Sequence, residues 1–148
     1  NGPLDFYGLG INAKISELQS AMGLAVFPYM SHILYERKKV VDYYLLHLNF
    51  QVLKTIKIRE NTNWNYSYFP IIFETEEKLL NVQTILNQNE ITPRRYFYPS
   101  LNRIEYINSD DEMPISESVA SRILCLPLYV GLSEEELIKI VALINQNV

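Results

Sequence analysis

The chain has 148 residues, of which 48% are hydrophobic and 20% charged, a composition that suits one globular domain burying about 70% of its unfolded surface. Its net charge of −4 lacks the basic footprint of a nucleic-acid-binding protein, and no apolar run reaches the ~18 residues of a membrane span. The single cysteine, Cys125, cannot form an internal disulfide, so we expect an inert buried thiol and a cytoplasmic location.

A glycine-containing loop opens the chain and leads into the first predicted helix. Residues 1–10 contain a Gly-Pro pair and two later glycines, which is typical of a loop. Ser16 and Gln19 form a capping-box pattern that predicts a helix start. Apolar residues then surround nearly the whole helix, which predicts burial on more than one side. Pro28 should end or kink this helix, and a second helix is predicted over about 31–48, giving a helical hairpin or one long bent helix.

The rest of the chain alternates predicted strands with predicted helices. In chain order these are a strand or strand pair over 50–58, a strand over 64–73, a helix from Thr75, a strand leading into a loop over 90–102, a short helix from Ser116 through Leu124, a brief strand or extended segment at 125–129 and a helix from Ser133. Pro70 suggests that the second strand lies at a sheet edge or contains a bulge. The order predicts an α+β fold, with a small mixed or antiparallel sheet covered by helices. We expect one domain over residues 1–148, with helices in 1–48 and the α+β part in 49–148.

The residues ahead of the first helix contain groups that bind anions. Gly8 and Gly10 allow a close backbone approach, Asn12 carries an amide donor, Lys14 is a mobile cation, and a helix N-terminus attracts negative charge. On local chemistry alone the structural interpretation is favoured, in which the glycines make a turn, Asn12 binds local backbone and Lys14 is solvated. Glu17, in the first helical turn, favours the structural interpretation because it already complements the helix dipole.

Four blocks of the sequence resemble, in order and spacing, the blocks of a known enzyme family. They are LGINAKISELQSAMGL (9–24), RKKVVDYY (37–44), EITPRRYFYPSL (90–101) and LCLPLYVGLSEEELIKIVALI (124–144). Together they are similar to the DegT/DnrJ/EryC1/StrS family of pyridoxal-phosphate (PLP)-dependent sugar aminotransferases. The resemblance implies the aspartate aminotransferase-like fold, in which a large domain holds the cofactor, a smaller C-terminal domain completes the site and two subunits share each active site. This chain would correspond to the C-terminal part alone.

The resemblance also implies roles for residues at the start of the chain. By position, Asn12 matches the asparagine that reaches across the dimer to the cofactor phosphate. The family arginine nearby is Lys14 here, which keeps the positive charge but loses the planar fork for bidentate contact. We therefore assign Asn12 and Lys14 to cofactor binding.

A second set of residues is implied to bind the substrate. Arg94 matches the family arginine of its block and Arg95 is adjacent, so one of them is expected to face a nucleotide diphosphate or a substrate carboxylate. Tyr96 and Tyr98 belong to the same set. An edge strand with solvated arginines is the structural interpretation of the same residues, and it stays open.

Transamination requires a lysine that forms a Schiff base with the cofactor, and the resemblance places that lysine upstream of residue 1. We therefore expect no catalytic residue, no metal site and no transaminase activity in the chain by itself, and we expect it not to retain PLP. The complete enzyme would move an amino group from an amino donor to a nucleotide-linked keto-deoxysugar, usually a dTDP-sugar, for surface polysaccharides such as O-antigen lipopolysaccharide.

Other functions remain open beside the enzyme hypothesis. One is a free-standing, non-catalytic dimerisation or ligand-binding module, and another is an unrelated α+β ligand-binding domain. Because the first helix is apolar on most sides, we expect a homo-oligomer, at least a dimer, with the first two helices in the interface.

Overall fold

The elements of the chain alternate helices with short strands. A computed structural model describes residues 14–96, 98–107 and 110–148. Within these ranges the elements are helix α1 (Glu17–Val26), a 3-10 turn (Phe27–Tyr29), helix α2 (Met30–His47), strands β1 (Lys54–Thr55) and β2 (Phe69–Ile72), helix α3 (Glu76–Gln88), 3-10 turns at Leu101–Arg103 and Glu105–Ile107, helix α4 (Pro114–Arg122), strand β3 (Ile123–Leu126) and helix α5 (Glu134–Asn145). The predicted α+β class is confirmed.

The strands form an antiparallel sheet in the order β1–β2–β3. β2 is the central strand, and it places Phe69 opposite Leu126 and Ile72 opposite Ile123. The sequence left a mixed or an antiparallel sheet open, and the structure has the antiparallel one. All four residues of β3 and the first three of β2 are buried, so the sheet lies inside the core.

The strands are shorter than the sequence alternation predicts. Of the predicted strand over 50–58 only β1 pairs, and of the strand over 64–73 only β2 pairs. Asn61 and Tyr66 have positive φ angles of 60° and 50°, a left-handed conformation outside the extended region. These two residues interrupt the extended path before β2.

Pro70 lies in the central strand, so its predicted place at an edge or bulge is wrong. Cys125, which is opposite Pro70, exchanges both backbone hydrogen bonds with Arg94 on its other side. Pro70 and Cys125 are therefore a non-hydrogen-bonded pair, and the position of the missing proline N–H faces away from β3. On that side β1 pairs no further than Ile71, so the sheet loses no ladder bond to the proline, and the Thr55 hydroxyl donates to the Pro70 carbonyl at 2.7 Å.

Helices α1, α3 and α5 begin where the sequence predicts, whereas α4 covers Pro114–Arg122 instead of the predicted Ser116 through Leu124, because Ile123 and Leu124 belong to β3. The Ser16 hydroxyl accepts from the Gln19 N–H, and the Gln19 side chain accepts from the Ser16 N–H, which completes the predicted capping box of α1. Ser133 and Glu136 form the same reciprocal pair at α5, and Thr75 caps α3. Each cap satisfies backbone donors that the first helical turn leaves unpaired.

Helices α1 and α2 follow one another as one bent helix, which is the second of the two alternatives that the sequence left open, and they do not form the helical hairpin. Phe27 and Met30 at the junction keep right-handed helical dihedral angles, so the chain does not reverse direction there. Pro28 tightens the junction into a 3-10 turn because it removes one helical N–H donor. None of the helices within the described ranges is long and apolar enough to cross a bilayer.

The core lies between the sheet and helices α2, α3 and α5. Its largest fully buried side chains come from all three helices and from the strands, namely Tyr44, Phe69, Ile71, Phe73, Leu79, Leu86, Leu124, Ile140 and Ile144. Helix α1 contributes no buried residue. The sequence predicts that this helix is buried on several sides, and no described part of the chain covers it. The second half of α2 belongs to the same core as the α+β part.

Candidate functional site

A groove at one end of the sheet brings together an arginine and three tyrosines from separate parts of the chain. It has a volume of about 240 Å³, and Arg94, Tyr68, Tyr96 and Tyr129 are among its lining residues. We call this the tyrosine groove. The remaining lining residues are Ser67, Thr92, Cys125, Leu126, Pro127 and Leu128.

The backbone of Arg94 is fixed to β3. Its N–H donates to the Cys125 carbonyl at 2.9 Å, and its carbonyl accepts from the Cys125 N–H at 2.8 Å. This isolated bridge is what the structure keeps of the strand that was predicted to lead into a loop over 90–102, and a turn begins at Tyr96. Arg94 is exposed, and within the described ranges its guanidinium makes no ion pair.

The tyrosines give the groove aromatic walls and hydroxyl groups. Tyr68 and Tyr96 pack edge to face, with ring centroids 5.1 Å apart and an interplanar angle of 69°. Burial, together with the charge of Glu136, raises the pKa of the Tyr129 hydroxyl above its ordinary value. Tyr129 is therefore neutral at physiological pH and can donate a hydrogen bond to an anionic ligand.

Cys125 lies in the floor of the groove and is not a nucleophile. Burial raises the pKa of its thiol to about 11, and nucleophilic attack requires the thiolate. The side chain is buried, as the sequence predicts for an inert thiol. Cys125 therefore serves the groove through its backbone, which anchors Arg94.

Arg95 and Tyr98, which the sequence also assigns to substrate binding, have different surroundings. One Arg95 Nη donates to the Glu76 carboxylate and, at 2.9 Å, to the Ser121 carbonyl. The Arg95 guanidinium also stacks on the Tyr98 ring, with 3.6 Å between Cζ and the ring centroid. Neither residue is among those that line the tyrosine groove. Of the four predicted substrate residues, Arg94 and Tyr96 therefore line the groove, whereas Arg95 and Tyr98 contact each other outside it.

The two predicted cofactor residues lie near the start of the chain. Asn12 lies outside the described residues, so its predicted contact with the cofactor phosphate stays a prediction. Lys14 is exposed, two residues before the helix cap Ser16. A mobile cation next to a helix N-terminus is compatible with anion binding, and the role of Lys14 also stays a prediction.

Tyr68 and Tyr129 were not among the site residues predicted from the sequence. Tyr68 directly precedes β2, and Tyr129 follows β3 by three residues. Because Phe69 pairs with Leu126, the start of β2 and the end of β3 lie side by side, which brings the two tyrosines to one groove. Tyr68 and Tyr129 each lie just outside one of two paired strands. This pattern could have identified them as site residues only if the pairing of β2 with β3 had been known.

The chain that follows this segment is fixed by a carboxylate. Glu117 accepts hydrogen bonds from the Met113 N–H at 2.8 Å and the Asn102 amide at 2.7 Å, and it pairs with Arg103 at 2.9 Å. These contacts, with the Met113 N–H first and the Arg103 guanidinium next, lower the pKa of Glu117 to about 2. The carboxylate joins the 3-10 turn at 101–103 to the start of α4.

We expect this contact to weaken in acid. The folded pKa of Glu117 lies below the ordinary carboxyl value. Its contacts therefore contribute fully to the free energy of unfolding above about pH 4.5, and this contribution is lost as the pH falls toward the folded pKa of about 2. Thermal unfolding of wild type and Glu117→Gln should therefore differ at pH 6 and converge toward pH 2. Glu105→Gln, a change at an exposed acid in the same loop, is the control. A constant difference between wild type and Glu117→Gln at all pH values would contradict the assignment.

The small antiparallel sheet covered by helices, with a bent helix leading into it, defines the class of the chain as part of the PLP-dependent aminotransferase fold. The family is also clear: the family model described as the DegT/DnrJ/EryC1/StrS aminotransferase family matches residues 4–145, and the chain belongs to that family. This confirms the resemblance seen in the sequence.

Individual relatives agree with this assignment. The chain is 36% identical over 143 residues to dTDP-4-amino-4,6-dideoxy-D-glucose transaminase of Escherichia coli, across 91% of this chain and 38% of that protein. It is 28% identical over 140 residues to GDP-perosamine synthase of Escherichia coli O157:H7, across 93% of this chain and 38% of that protein. A PLP-form structure of a Streptococcus pneumoniae protein described as a sugar aminotransferase shares the fold with a TM-score of 0.77 at 19% identity, across 89% of this chain and 35% of that one. The chain therefore spans just over a third of the length of these relatives.

Proposed function

We propose that the chain is the C-terminal domain of a PLP-dependent aminotransferase that acts on nucleotide-linked keto-deoxysugars, with a dTDP-sugar as the first candidate. Family membership and the name of the Escherichia coli relative support this class of substrate. The observation that carries the proposal is the tyrosine groove, which is lined by the exposed residue Arg94 together with three tyrosines.

The groove has the chemistry that a nucleotide diphosphate requires. An arginine without an ion-pair partner among the described residues can bind phosphate oxygens through two parallel N–H donors. Aromatic rings offer faces for a base or a sugar ring, and their hydroxyls donate to polar groups of the ligand. In this proposal Arg94 binds the diphosphate, while Tyr68, Tyr96 and Tyr129 contact the rest of the nucleotide-sugar.

The cofactor in the proposed enzyme is PLP, as in the Streptococcus pneumoniae structure. When bound, PLP supplies the electron sink for transfer of the amino group. Asn12 and Lys14 are proposed to contact its phosphate. Their residue types fit that task, since an amide and a cation ahead of a helix N-terminus both favour an anion.

The Schiff-base lysine is proposed to lie in another part of the complete enzyme. A lysine that reacts as an amine is normally buried, because burial lowers its pKa. None of the seven lysines, all of which lie in the described residues, is buried. Four contact neighbouring groups: Lys38 pairs with Asp42, Lys39 with Glu36 and Lys78 with Glu74, and Lys139 donates to the Asn89 carbonyl. The other three, Lys14, Lys54 and Lys57, are exposed. Residues 1–148 are therefore proposed not to catalyse transamination by themselves.

Titration with thymidine diphosphate tests the role of Arg94. We expect Arg94→Gln to weaken binding about tenfold, which corresponds to about 1.4 kcal/mol and to the loss of a charge-assisted hydrogen bond. Arg59→Gln removes an exposed arginine elsewhere and should leave the affinity unchanged. Equal losses for the two variants would show only a general charge effect and would overturn the assignment of the groove.

A second candidate function is a non-catalytic dimerisation or ligand-binding module, favoured by the exposed apolar surface of α1. The aminotransferase proposal requires a reactive lysine encoded upstream of residue 1, whereas the module requires none, so the upstream coding sequence separates the two. Under both candidates the purified chain mixed with PLP should show no absorbance band of an internal aldimine. Appearance of that band would contradict both.

A further inference from the structure

We infer that Arg95 is a positioning residue, which holds Arg94 and Tyr96 in the tyrosine groove and does not itself contact the substrate. This inference rests on the proposed function, because the substrate is the nucleotide-sugar proposed above. It also revises the assignment of Arg95 and Tyr98 made from the sequence.

Arg95 joins three parts of the chain. Its guanidinium pairs with Glu76 in the first turn of α3, donates to the Ser121 carbonyl near the end of α4, and stacks on Tyr98 of its own segment. The Arg95 side chain is only 8% exposed, whereas that of Glu76 is 41% exposed. A buried guanidinium is tolerated when its charge is paired, and one Nη of Arg95 has both polar contacts, whereas the buried Nε has no hydrogen-bond partner among the described residues. The ion pair with Glu76, the Ser121 carbonyl and the Tyr98 ring together hold the side chain where it lies.

The contacts of Arg95 determine where its neighbour can point. The Arg94 backbone is held against β3 by two hydrogen bonds to Cys125. The side chain of the next residue, Arg95, is held against α3 and α4 by its bonds to Glu76 and Ser121. Successive side chains of an extended segment point to opposite sides. With Arg95 fixed on the inner side, the Arg94 side chain is directed outward into the groove that it shares with Tyr96.

Lysine cannot replace Arg95 in this arrangement. The planar guanidinium stacks on Tyr98 with its face while its edge donates to Glu76 and to Ser121. Both hydrogen bonds come from one Nη, so the property that a lysine ammonium lacks here is the flat face that lies over the Tyr98 ring. Arg95→Lys therefore removes the geometry and keeps the charge, which separates positioning from a general electrostatic effect.

A double-mutant cycle tests whether Arg95 acts through Arg94. The affinity for thymidine diphosphate is measured for wild type, Arg94→Gln, Arg95→Lys and the double variant. We expect Arg95→Lys alone to weaken binding about fivefold, and to weaken it less than about twofold when Arg94 is already replaced, because the two residues share one effect. The same loss in both backgrounds would mean that Arg95 contacts the ligand directly. No loss in either background would mean that it does not position Arg94. Either result overturns the inference.

Amide hydrogen exchange tests the same inference without a ligand. Arg95→Lys and Glu76→Gln should each speed exchange at the Arg94 and Cys125 amides about tenfold, as expected for local opening, and leave the core amide of Ile140 unchanged. Glu77→Gln removes the neighbouring exposed acid of the same turn and is the matched control. Unchanged exchange at Arg94 in both variants overturns the inference. If wild type does not bind thymidine diphosphate, the proposed function fails, and hydrogen exchange still decides whether Arg95 positions the segment.

Discussion

Replacing Tyr44 with alanine is expected to lower the free energy of unfolding by about 3–5 kcal/mol, the usual cost of removing a large aromatic side chain from a core. Tyr44 is 0% exposed, and its ring packs on Phe69 with centroids 5.1 Å apart. It also joins α2 to the chain after β3, because its hydroxyl donates to the Pro127 carbonyl at 2.9 Å. Urea unfolding of the two proteins measures the difference.

Tyr44→Phe separates the ring from the hydroxyl. The ring contact with Phe69 is kept, and the Pro127 carbonyl loses its donor, so we expect a loss of about 1–2 kcal/mol. Tyr35→Phe, at an exposed tyrosine of the same helix, should change stability by less than about 0.5 kcal/mol. A cost for Tyr44→Phe as large as for Tyr44→Ala would show that the hydrogen bond, and not packing, dominates at this position.

The sequence predicts well those features that depend on neighbouring residues. The capping boxes at Ser16 and Ser133 were readable because each needs only two side chains three residues apart. The bend at Pro28 was readable for the same reason, since proline acts on its own helical turn. Family membership was readable because four blocks occur in a fixed order along the chain.

The lengths of the strands and the place of Pro70 in the sheet were not predicted correctly. Pro70 looked like an edge residue, and its place in the central strand follows from where β1 stops pairing. The strand predicted over 64–73 was too long because the left-handed backbone at Tyr66 has no signal in the alternation of apolar residues. The length and order of the strands depend on partners far along the chain.

The candidate site shows the same limit in the assignment of side chains. Arg94 and Arg95 are adjacent residues of one type, and their sequence context does not say which one faces a ligand. The contacts of Arg95 with Glu76 and Ser121 distinguish the surroundings of the two side chains, and both partners are at least 19 residues away along the chain. Tertiary contacts therefore give Arg94 and Arg95 different surroundings, which the sequence does not predict.

Helix α1 is expected to make the chain self-associate. Apolar side chains at and around this helix are exposed, with Leu18 at 73% and Met22 at 62%, together with Ile15, Leu24 and Phe27. Several large apolar side chains exposed on one short helix are typical of an interaction site. At tens of micromolar, sedimentation should give a mass at least twice that of one chain.

Two charges on this helix should abolish the association. Leu18→Glu with Met22→Glu places both glutamates on one face, four residues apart, and burying either carboxylate without a partner is strongly unfavourable. We expect the double variant to be monomeric, with association weakened more than about a hundredfold, equivalent to about 2.8 kcal/mol. The helix itself should persist, since glutamate has a good helix propensity.

Ile138→Glu is the matched control, because Ile138 is an exposed apolar residue of α5 outside the proposed interface. If the interface is formed by α1, this variant associates like wild type, while the α1 variant does not. Both variants should unfold at similar urea concentrations when compared as monomers, since neither position contributes to the core. A wild-type chain that sediments as a monomer at the same concentration would contradict the interface. Loss of association in both variants would contradict an interface formed by the first two helices alone, because the contact surface would then include α5 as well.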